Sequence, residues 1–288
     1  MTEKRIAWVT DSTAYITEEL AAHPDVYVLP LSITFNKETF EDGVDLTVDQ
    51  LYKRIRENKE VPKTSQPSAG KFAELYDSFK EKYDAAVSIH ISSELSGTYS
   101  SAVQGQEISG FPVEVIDSLT MSYGITTLMH KGMEMQEQGK SVEEISTQLR
   151  SSAPKSESYI LLGSLEQFYK GGRMSGTSYL LGNLLQIKPI IRITNEGKFD
   201  LFQKVRSEKK AIKRMIELLE QALEKRKLNE VQVMHGNVLE KAEDLKSRIK
   251  ENFPDLRVVT GEISSTIAAH AGEGTLALIW NNDDVKSE

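Results

Sequence analysis

Hydroxyl side chains gather where two predicted strands of the first half end. Residues 10–13 (Thr-Asp-Ser-Thr) follow one apolar run, and residues 92–98 (Ser-Ser-Glu-Leu-Ser-Gly-Thr) follow another. In parallel sheets, ligands bind outside the carboxyl ends of the strands. Ser96 and Gly97 also have the pattern of a helix start, where free backbone N–H groups favour an anion. Helix capping explains any one of these hydroxyls better than ligand binding does. Their convergence is what indicates an anion site.

Thr64 and Ser65 add two hydroxyl groups between two predicted helices. Hydroxyls can hydrogen-bond a carboxylate without adding a counter-charge. The alternative is local, because Pro67 and Ser68 are also a common way to start a helix. Capping alone would explain the segment; as a functional element, it would be a further part of the same anion site.

His270 lies in a run of small residues, Ala268–Gly274, which lets the backbone approach another group closely. A lone histidine is usually a structural residue. At the end of a helical segment beside glycines, its imidazole could instead donate to a buried anion. The sequence of this segment leaves both interpretations open.

Two groups of cations stand out in an acidic chain. Arg173 lies in a glycine-rich loop, and a guanidinium is suited to carboxylate or phosphate. The Lys-Ser/Thr pair of a phosphate-binding loop is missing, so we reject a nucleotide site. Arg206, Lys209 and Lys213 lie at and just before the start of a predicted helix. They form either an ordinary solvated face or a docking surface for an acidic partner.

The elements that must position these residues alternate between short β-rich runs and helical patterns. Such alternation predicts βαβ units and a largely parallel sheet, hence an α/β protein. Ala86–Ser92 and Val113–Asp117 are near-continuous apolar runs, typical of strands covered by helices on both faces. A polar, turn-rich segment at 151–158 predicts a domain boundary, with an N-terminal domain at 1–155 and a smaller C-terminal α/β domain at 156–288.

Several local patterns are specific enough to be checked one by one. Ser141 and Glu144 form a capping-box pattern, and Ser207 is a predicted N-cap. A hairpin is predicted to turn at 195–197. Residues 26–34 are predicted to form one strand, and residues 72–83 one helix.

Bulk composition excludes several classes of function. A net charge of −8 and a pI near 5.4 disfavour generic nucleic-acid binding. The chain has no cysteine, which excludes disulfides and thiol catalysis, and its five histidines form no metal-spaced cluster. No signal peptide is apparent, and the most apolar stretch, Tyr179–Ile193, is too interrupted for a membrane span. We expect a cytoplasmic protein without metal, nucleic-acid partner or stable membrane insertion.

Seven motifs in order along nearly the whole chain resemble the DegV family of bacterial proteins. They are residues 10–13, 63–67, 91–99, 117–118, 171–176, 188–189 and 268–274. Each motif is weak alone, but seven with the family's spacing are specific. The resemblance implies a two-domain α/β protein that holds one fatty acid, such as palmitate, stearate or oleate, between its domains. It also implies that the protein is a carrier for phospholipid synthesis and no enzyme, because a separate fatty acid kinase forms the acyl phosphate.

The resemblance also implies roles for individual residues. Thr64 and Ser96 are the expected principal ligands of the carboxylate, with Ser65 and Ser93 close by and His270 completing the network. Arg173 is expected at the tunnel mouth, where it helps present the head group to the kinase, while Asp11 and Ser12 shape the floor of the site. The candidates for the tunnel lining are Phe168, Met174, Leu180, Leu181, Leu184, Leu185, Ile187 and Ile190.

Three other functions compete with this one. A serine hydrolase or acyltransferase would use Ser93 or Ser96 as nucleophile and His270 as base, although no Gly-x-Ser-x-Gly elbow is present. A domain like those of dihydroxyacetone kinases would hold a small ketone on His270. A regulatory protein with a structural lipid is the third.

Overall fold

The computed structural model describes residues 5–36, 38–58, 60–173 and 188–282. In chain order the strands are β1 (Ile6–Asp11), β2 (Val26–Leu29), β3 (Ser32–Phe35), β4 (Glu38–Glu41), β5 (Lys63–Ser65), β6 (Ala85–His90), β7 (Val113–Asp117), β8 (Ser156–Leu161), β9 (Lys188–Ile193), β10 (Phe199–Val205), β11 (Glu230–His235), β12 (Arg257–Glu262) and β13 (Leu276–Asn281). The helices are α1 (Glu18–Ala22), α2 (Val48–Asn58), α3 (Ala69–Asp77), α4 (Thr98–Ser109), α5 (Tyr123–Glu137), α6 (Val142–Ser152), α7 (Leu165–Lys170), α8 (Glu208–Lys225), α9 (Leu239–Asn252) and α10 (Ser265–Ala271).

The N-terminal half, up to residue 155, is built on a parallel sheet of order β2-β1-β6-β7. Successive residues of β1 enter different cores: Ala7 and Val9 pack with α3 and α4, whereas Ile6 and Trp8 pack with α5 and α6. Because both faces are covered, the strands carry apolar residues on both sides. The predicted α/β class, with a parallel sheet in this half, is confirmed.

A small antiparallel sheet of order β4-β3-β5 was not predicted. The expected single strand over residues 26–34 is wrong, because the chain leaves the parallel sheet at Pro30 and re-pairs as β3 with β4 and β5. Proline lacks the N–H group that would continue the ladder. Strand β5 is only three residues long, too short for a periodic pattern, and it carries Thr64.

The C-terminal half, from residue 156, forms a mixed sheet of order β10-β9-β8-β13-β11-β12. Its outer face packs under α8 and α9, while its inner face shares a core with the α5 and α6 side of the N-terminal half. The predicted hairpin of β9 and β10 is confirmed. Each large sheet takes its strands from one side of residue 155, and the domain boundary there stays a prediction.

Helix starts follow the local sequence closely. The capping box of Ser141 and Glu144 is present, and Ser207 accepts a hydrogen bond from the backbone N–H of Lys210. Helix α3 differs from the predicted 72–83, because Ser68 caps it and it ends at Asp77. Within the described residues no helix is long and apolar enough to cross a membrane.

Candidate functional site

A cavity lies at the carboxyl edge of the parallel sheet, against the inner face of the mixed sheet. Its described lining from the N-terminal half is Leu31, Thr64, Ile91, Leu95, Ser96 and Met121. Its described lining from the C-terminal half is Ile160, Leu162, Phe168, Arg173, Phe199, Thr266, Ile267, His270 and Ala271. Most of the lining is apolar, with a few polar groups.

Two of those polar groups, Thr64 and His270, meet although 206 residues separate them. Strand β5 alternates its side chains between two faces, so Thr64 lines the cavity while Ser65 is exposed. Ser264 caps α10, which carries His270 in its last turn. The Oγ1 atom of Thr64 and Nε2 of His270 share a hydrogen bond of 2.8 Å.

The other ring nitrogen of His270 has no hydrogen-bond partner among the described residues. Gly171 lies against it, and a Cβ atom at that glycine would stand 2.2 Å from Nδ1. Only glycine therefore leaves the imidazole in this position. A buried polar atom without a partner costs free energy, and it needs an explanation such as a ligand.

His270 is neutral at neutral pH. Burial and the nearby charge of Arg173 lower the pKa of its imidazole to about 4. The Thr64–His270 pair then carries two mobile protons, one on the imidazole and one on the hydroxyl. Their mutual hydrogen bond uses one proton in either tautomer. The second proton, on Thr64 Oγ1 or on His270 Nδ1, remains available to a ligand in the cavity.

Ser96 reaches the cavity from the start of α4. Its Oγ accepts a hydrogen bond of 3.3 Å from the backbone N–H of Thr98 and shares one of 2.9 Å with the Thr98 hydroxyl. Gly97 is the N-cap, as the sequence indicates, and the Gln66 amide packs against it. The linker after β5 thus touches the start of α4, which brings Thr64 and Ser96 to one cavity.

Ser93 and Ser65 lie outside the described lining of the cavity. Ser93 is exposed, and its backbone N–H donates to Oδ1 of Asp117 at 3.2 Å. Ser65 is exposed because it lies on the opposite face of β5 from Thr64. The structure therefore brings together Thr64, Ser96 and His270 of the predicted carboxylate ligands, and leaves these two apart from them.

Arg173 lines the cavity as a half-buried cation. Its Nη1 donates to the backbone carbonyl oxygen of Gly171, and burial lowers the pKa of the guanidinium. No carboxylate of the described residues pairs with it. A half-buried cation beside an apolar space attracts an anion, and guanidinium geometry suits a carboxylate.

Asp11 is buried and bonds to a residue that lines the cavity. Its Oδ2 accepts hydrogen bonds of 3.0 Å from Nδ1 of His90 and from the backbone N–H of Ile91, which lines the cavity. Nε2 of His90 bonds to Ser88 at 2.7 Å, and Ser88 bonds to Tyr76 at 2.8 Å. Ser88, His90 and Asp11 have the connectivity of a catalytic triad, yet all three are fully buried away from the cavity.

A second, more enclosed cavity adjoins the first. The two share Met121, Ile160, Ile267 and Ala271. The rest of its described lining is Ser122, Ser158, Met234, Ile263, Thr275, Ala277 and Ile279. The second cavity is mostly apolar, and neither Thr64 nor His270 belongs to its described lining.

The predicted tunnel residues have different outcomes. Phe168 lines the first cavity. Ile190 lies in the core on the outer face of the mixed sheet, because β9 alternates and its neighbour Ile191 faces inward. Met174, Leu180, Leu181, Leu184, Leu185 and Ile187 lie outside the described residues. Sequence reasoning missed Met121 and Leu95, although their position just after strand ends is the same signal that marked the hydroxyls.

The basic residues at the start of α8 and just before it are not part of this lining. Helix α8 packs Ala211 and Met215 into the core on the outer face of the mixed sheet. Arg206, Lys209 and Lys213 are exposed there, and Lys213 lies 3.9 Å from Glu217. They are on the opposite side of the sheet from the cavity. The described part of the chain contains no group of three or more potential metal ligands.

Comparisons with known proteins agree with this architecture. A family profile described as "Uncharacterised protein, DegV family" matches residues 5–283. A DegV domain-containing protein of Listeria innocua is 35% identical over 280 residues, which are 96% of this chain and 99% of that protein.

Two solved structures share the fold. The fatty acid binding DegV family protein of Streptococcus agalactiae superposes with a TM-score of 0.91 at 30% identity, covering 98% of this chain and 100% of that one. The Streptococcus pneumoniae Fatty Acid Kinase (Fak) B3 protein loaded with linoleic acid has a TM-score of 0.84 at 23% identity, covering 97% and 100%. At that identity the second likeness concerns the fold alone.

Proposed function

The chain belongs to the DegV family, and from this premise we propose that it binds one long-chain fatty acid and presents its carboxylate to a separate fatty acid kinase. One observation carries the proposal. The apolar cavity has a polar end at which His270 Nδ1 has no partner among the described residues, and Arg173 has no carboxylate partner there. An apolar tail with a single anionic head matches that distribution of groups.

The tail supplies most of the binding free energy. Burial of one CH₂ group contributes about 0.8 kcal/mol, so some fifteen methylenes contribute on the order of 12 kcal/mol before the costs of binding are subtracted. The second cavity continues the first past Met121 and Ile267, which gives the tail an apolar path. Such a ligand would remain bound through purification.

The head group is held by hydrogen bonds and charge. A carboxylate removed from water needs strong donors, and the free proton of the Thr64–His270 pair is one of them. The Ser96 hydroxyl is a second donor, and Arg173 supplies the opposite charge. A bound carboxylate also raises the pKa of His270, because it favours the protonated imidazole.

In this account, phosphoryl transfer belongs to the kinase and the chain acts as a carrier. Arg173 stands at the polar end of the cavity, where it would help present the head group. Arg206, Lys209 and Lys213 would form a docking surface on the far side of the mixed sheet, so a kinase that uses both must reach around the C-terminal half. The Streptococcus pneumoniae protein of the same fold carries the kinase's name, which supports this choice of partner.

The alternatives find less support among the described residues. A serine nucleophile would need His270 as its base, but Nε2 of His270 bonds to Thr64. No carboxylate orients His270 Nδ1, as a triad requires. A small polar ketone would leave the apolar lining and the second cavity unused.

Native mass spectrometry of the purified protein, followed by lipid extraction, tests the proposal. We expect one fatty acid per chain, or stoichiometric loading when oleate is added. A protein that is empty and cannot be loaded with palmitate, stearate or oleate would contradict it. Turnover of an ester substrate by the same preparation would support the hydrolase instead.

A further inference from the structure

Helix α10 belongs to the C-terminal half of the chain but is bonded to the N-terminal half at both ends. Its last turn carries His270, which bonds to Thr64. Its first turn bonds to Asp42, a buried residue that sequence reasoning passed over. The helix is seven residues long, about 10 Å, so a displacement of its first turn is transmitted to the imidazole.

The contacts of Asp42 with α10 use both carboxylate oxygens. Oδ1 accepts from the backbone N–H of Ser265 at 3.0 Å, and Oδ2 accepts from that of Thr266 at 3.2 Å. These N–H groups are among those that a helix start leaves without an internal partner. Burial raises the pKa of the Asp42 carboxyl, whereas its hydrogen bonds from Thr266 and Ser12 act in the opposite direction and favour the ionised form.

Asp42 is itself fixed to the cavity wall. The Ser12 hydroxyl donates to its Oδ2 at 2.9 Å, and the same Ser12 oxygen accepts from the backbone N–H of Leu31 at 3.0 Å. The backbone N–H of Asp42 donates to the carbonyl oxygen of Leu31 at 2.9 Å. Leu31 lines the cavity, so a short chain of bonds joins the wall to the start of α10.

Ordinary helix capping does not account for Asp42. Helix α10 already has its own N-cap, Ser264, whose Oγ accepts from the backbone N–H of Ile267 at 3.4 Å. Asp42 adds two bonds that reach across 223 residues from the other half of the molecule. Its role is to set where the helix stands relative to the N-terminal half.

We propose that Asp42 is a positioning residue for the ligand head group: by holding the first turn of α10 against the N-terminal half, it keeps His270 in contact with Thr64 and slows ligand release. The part of this inference that concerns the rate of ligand release rests on the proposed function. The part that concerns the position of His270 does not depend on any ligand.

The test compares Asp42→Asn with Ser264→Ala. Asparagine keeps the shape but offers one acceptor oxygen, and its NH₂ group would face a backbone donor. Ser264→Ala removes a cap from the same helix end; it also removes a weak contact of the Ser264 hydroxyl with the Asp42 carboxyl, but it leaves both backbone bonds from α10 to Asp42 in place. Both variants are measured in lipid-free protein by NMR titration of the His270 ring, and with cis-parinaric acid by stopped-flow release.

For Asp42→Asn we expect the pKa of His270 to rise from about 4 toward its ordinary value near 6.5, because the loosened imidazole becomes hydrated. Release of cis-parinaric acid should be about tenfold faster or more, the change that corresponds to one lost charged hydrogen bond. Ser264→Ala should leave both quantities near those of the unaltered chain.

Two results would overturn the inference: Asp42→Asn leaving the pKa and release rate unchanged, or Ser264→Ala changing them as much. If Asp42→Asn does not fold, Ser12→Ala removes a single bond to the carboxylate and should act in the same direction, more weakly; no effect there would overturn the inference too. If the unaltered chain takes up no cis-parinaric acid, the proposed function fails, and the titration alone decides whether Asp42 positions His270.

Discussion

His90 and His270 both bond to a hydroxyl group through Nε2, but they differ at the other ring nitrogen, Nδ1. Nε2 of His90 bonds to the Ser88 hydroxyl at 2.7 Å, and Nε2 of His270 bonds to the Thr64 hydroxyl at 2.8 Å. His90 then bonds through Nδ1 to Asp11, and the whole network is buried. Nδ1 of His270 has no partner among the described residues and lies against Gly171, and His270 lines a cavity.

The difference separates a structural network from a candidate binding site. A buried polar network with every member paired makes the fold rigid. The Asp11–His90 network does this for Ile91, which lines the cavity. The unpaired nitrogen of His270 has a free energy cost that a ligand can remove. We expect changes in the first network to affect stability and changes in the second to affect binding.

The largest expected effect is on the closed network. Asp11→Ala leaves His90 and the backbone N–H of Ile91 without their buried partner, so we expect a loss of about 3–5 kcal/mol in the free energy of unfolding. Urea unfolding measures it. The control is Asp255→Ala at an exposed turn, which should stay within about 0.5 kcal/mol. A similarly small change for Asp11→Ala would show that the network does not stabilise the fold.

The next effect is a pH dependence from the open site. The pKa of His270 is about 4 in the folded chain and near 6.5 in the unfolded chain, so between these values the unfolded state binds more protons. The contribution of His270 to the free energy of unfolding should therefore be complete above pH 6.5 and fall by about 3 kcal/mol as the pH drops to 4.

The difference between the unaltered chain and His270→Gln, measured by urea unfolding at several pH values, isolates this contribution. Bound fatty acid should reduce it, because the carboxylate raises the pKa of the folded imidazole. An identical pH profile for the two chains would show that His270 titrates normally in the folded state.

A smaller effect is expected on binding. His270→Ala removes one hydrogen bond to the charged head group, which is worth about 1.5–3 kcal/mol, so the affinity for oleate should fall by about 10–100-fold. Displacement of a fluorescent fatty acid measures the affinity. His130→Ala is a matched control, because His130 lies on α5 and outside the described lining of the cavity. Equal affinities for the unaltered chain and His270→Ala would remove His270 from the site.

Arg173→Ala should separate binding from delivery. Arg173 is only half-buried, so water screens its attraction for the head group, and we expect oleate binding to change by less than about threefold. Formation of acyl phosphate with the fatty acid kinase should fall by about tenfold or more. Arg248→Ala, an exposed residue of α9 that pairs with Asp244, is the control. A loss of binding as large as that of His270→Ala would contradict this division of roles.

The smallest effect concerns the basic residues of α8. Replacing both Lys209 and Lys213 by Glu should weaken coupling to the kinase by a few-fold and leave oleate binding unchanged, because both lysines are exposed on the far side of the mixed sheet. Raising the salt concentration should shrink the difference from the unaltered chain. Unchanged coupling at low salt would make these lysines ordinary surface residues.

Much of the fold follows from local patterns that act within a few residues. The capping box at Ser141, the N-cap at Ser207 and the hairpin of β9 and β10 are all local, and all are confirmed. The sheet formed by β3, β4 and β5 was not predicted, because it depends on pairing between segments that are distant in the sequence. The break at Pro30 was the one signal available for it.

The candidate site shows the same limit. Strand ends and residue types indicated Thr64, Ser96 and His270. Which residue of a neighbouring pair faces inward, however, depends on the alternation along the paired strand: Thr64 lines the cavity and Ser65 does not. In the same way, Ile191 faces the inner core and Ile190 the outer one. Asp42 was invisible for a further reason. Its role comes from bonds to residues more than 220 positions away, and no short motif records them.

We expect the ring of His270, which has one nitrogen unpaired among the described residues, to interact with the carboxylate of a bound fatty acid. We expect no such interaction for His90, because both of its ring nitrogens are paired. Nitrogen-15 NMR of the histidine rings, recorded before and after addition of oleate, tests this difference most directly. We predict that the ring signals of His270, assigned with His270→Gln, shift on saturation and that those of His90 do not move. Oleate bound in full with the His270 signals unchanged, or a shift of His90 as large as that of His270, would contradict the account.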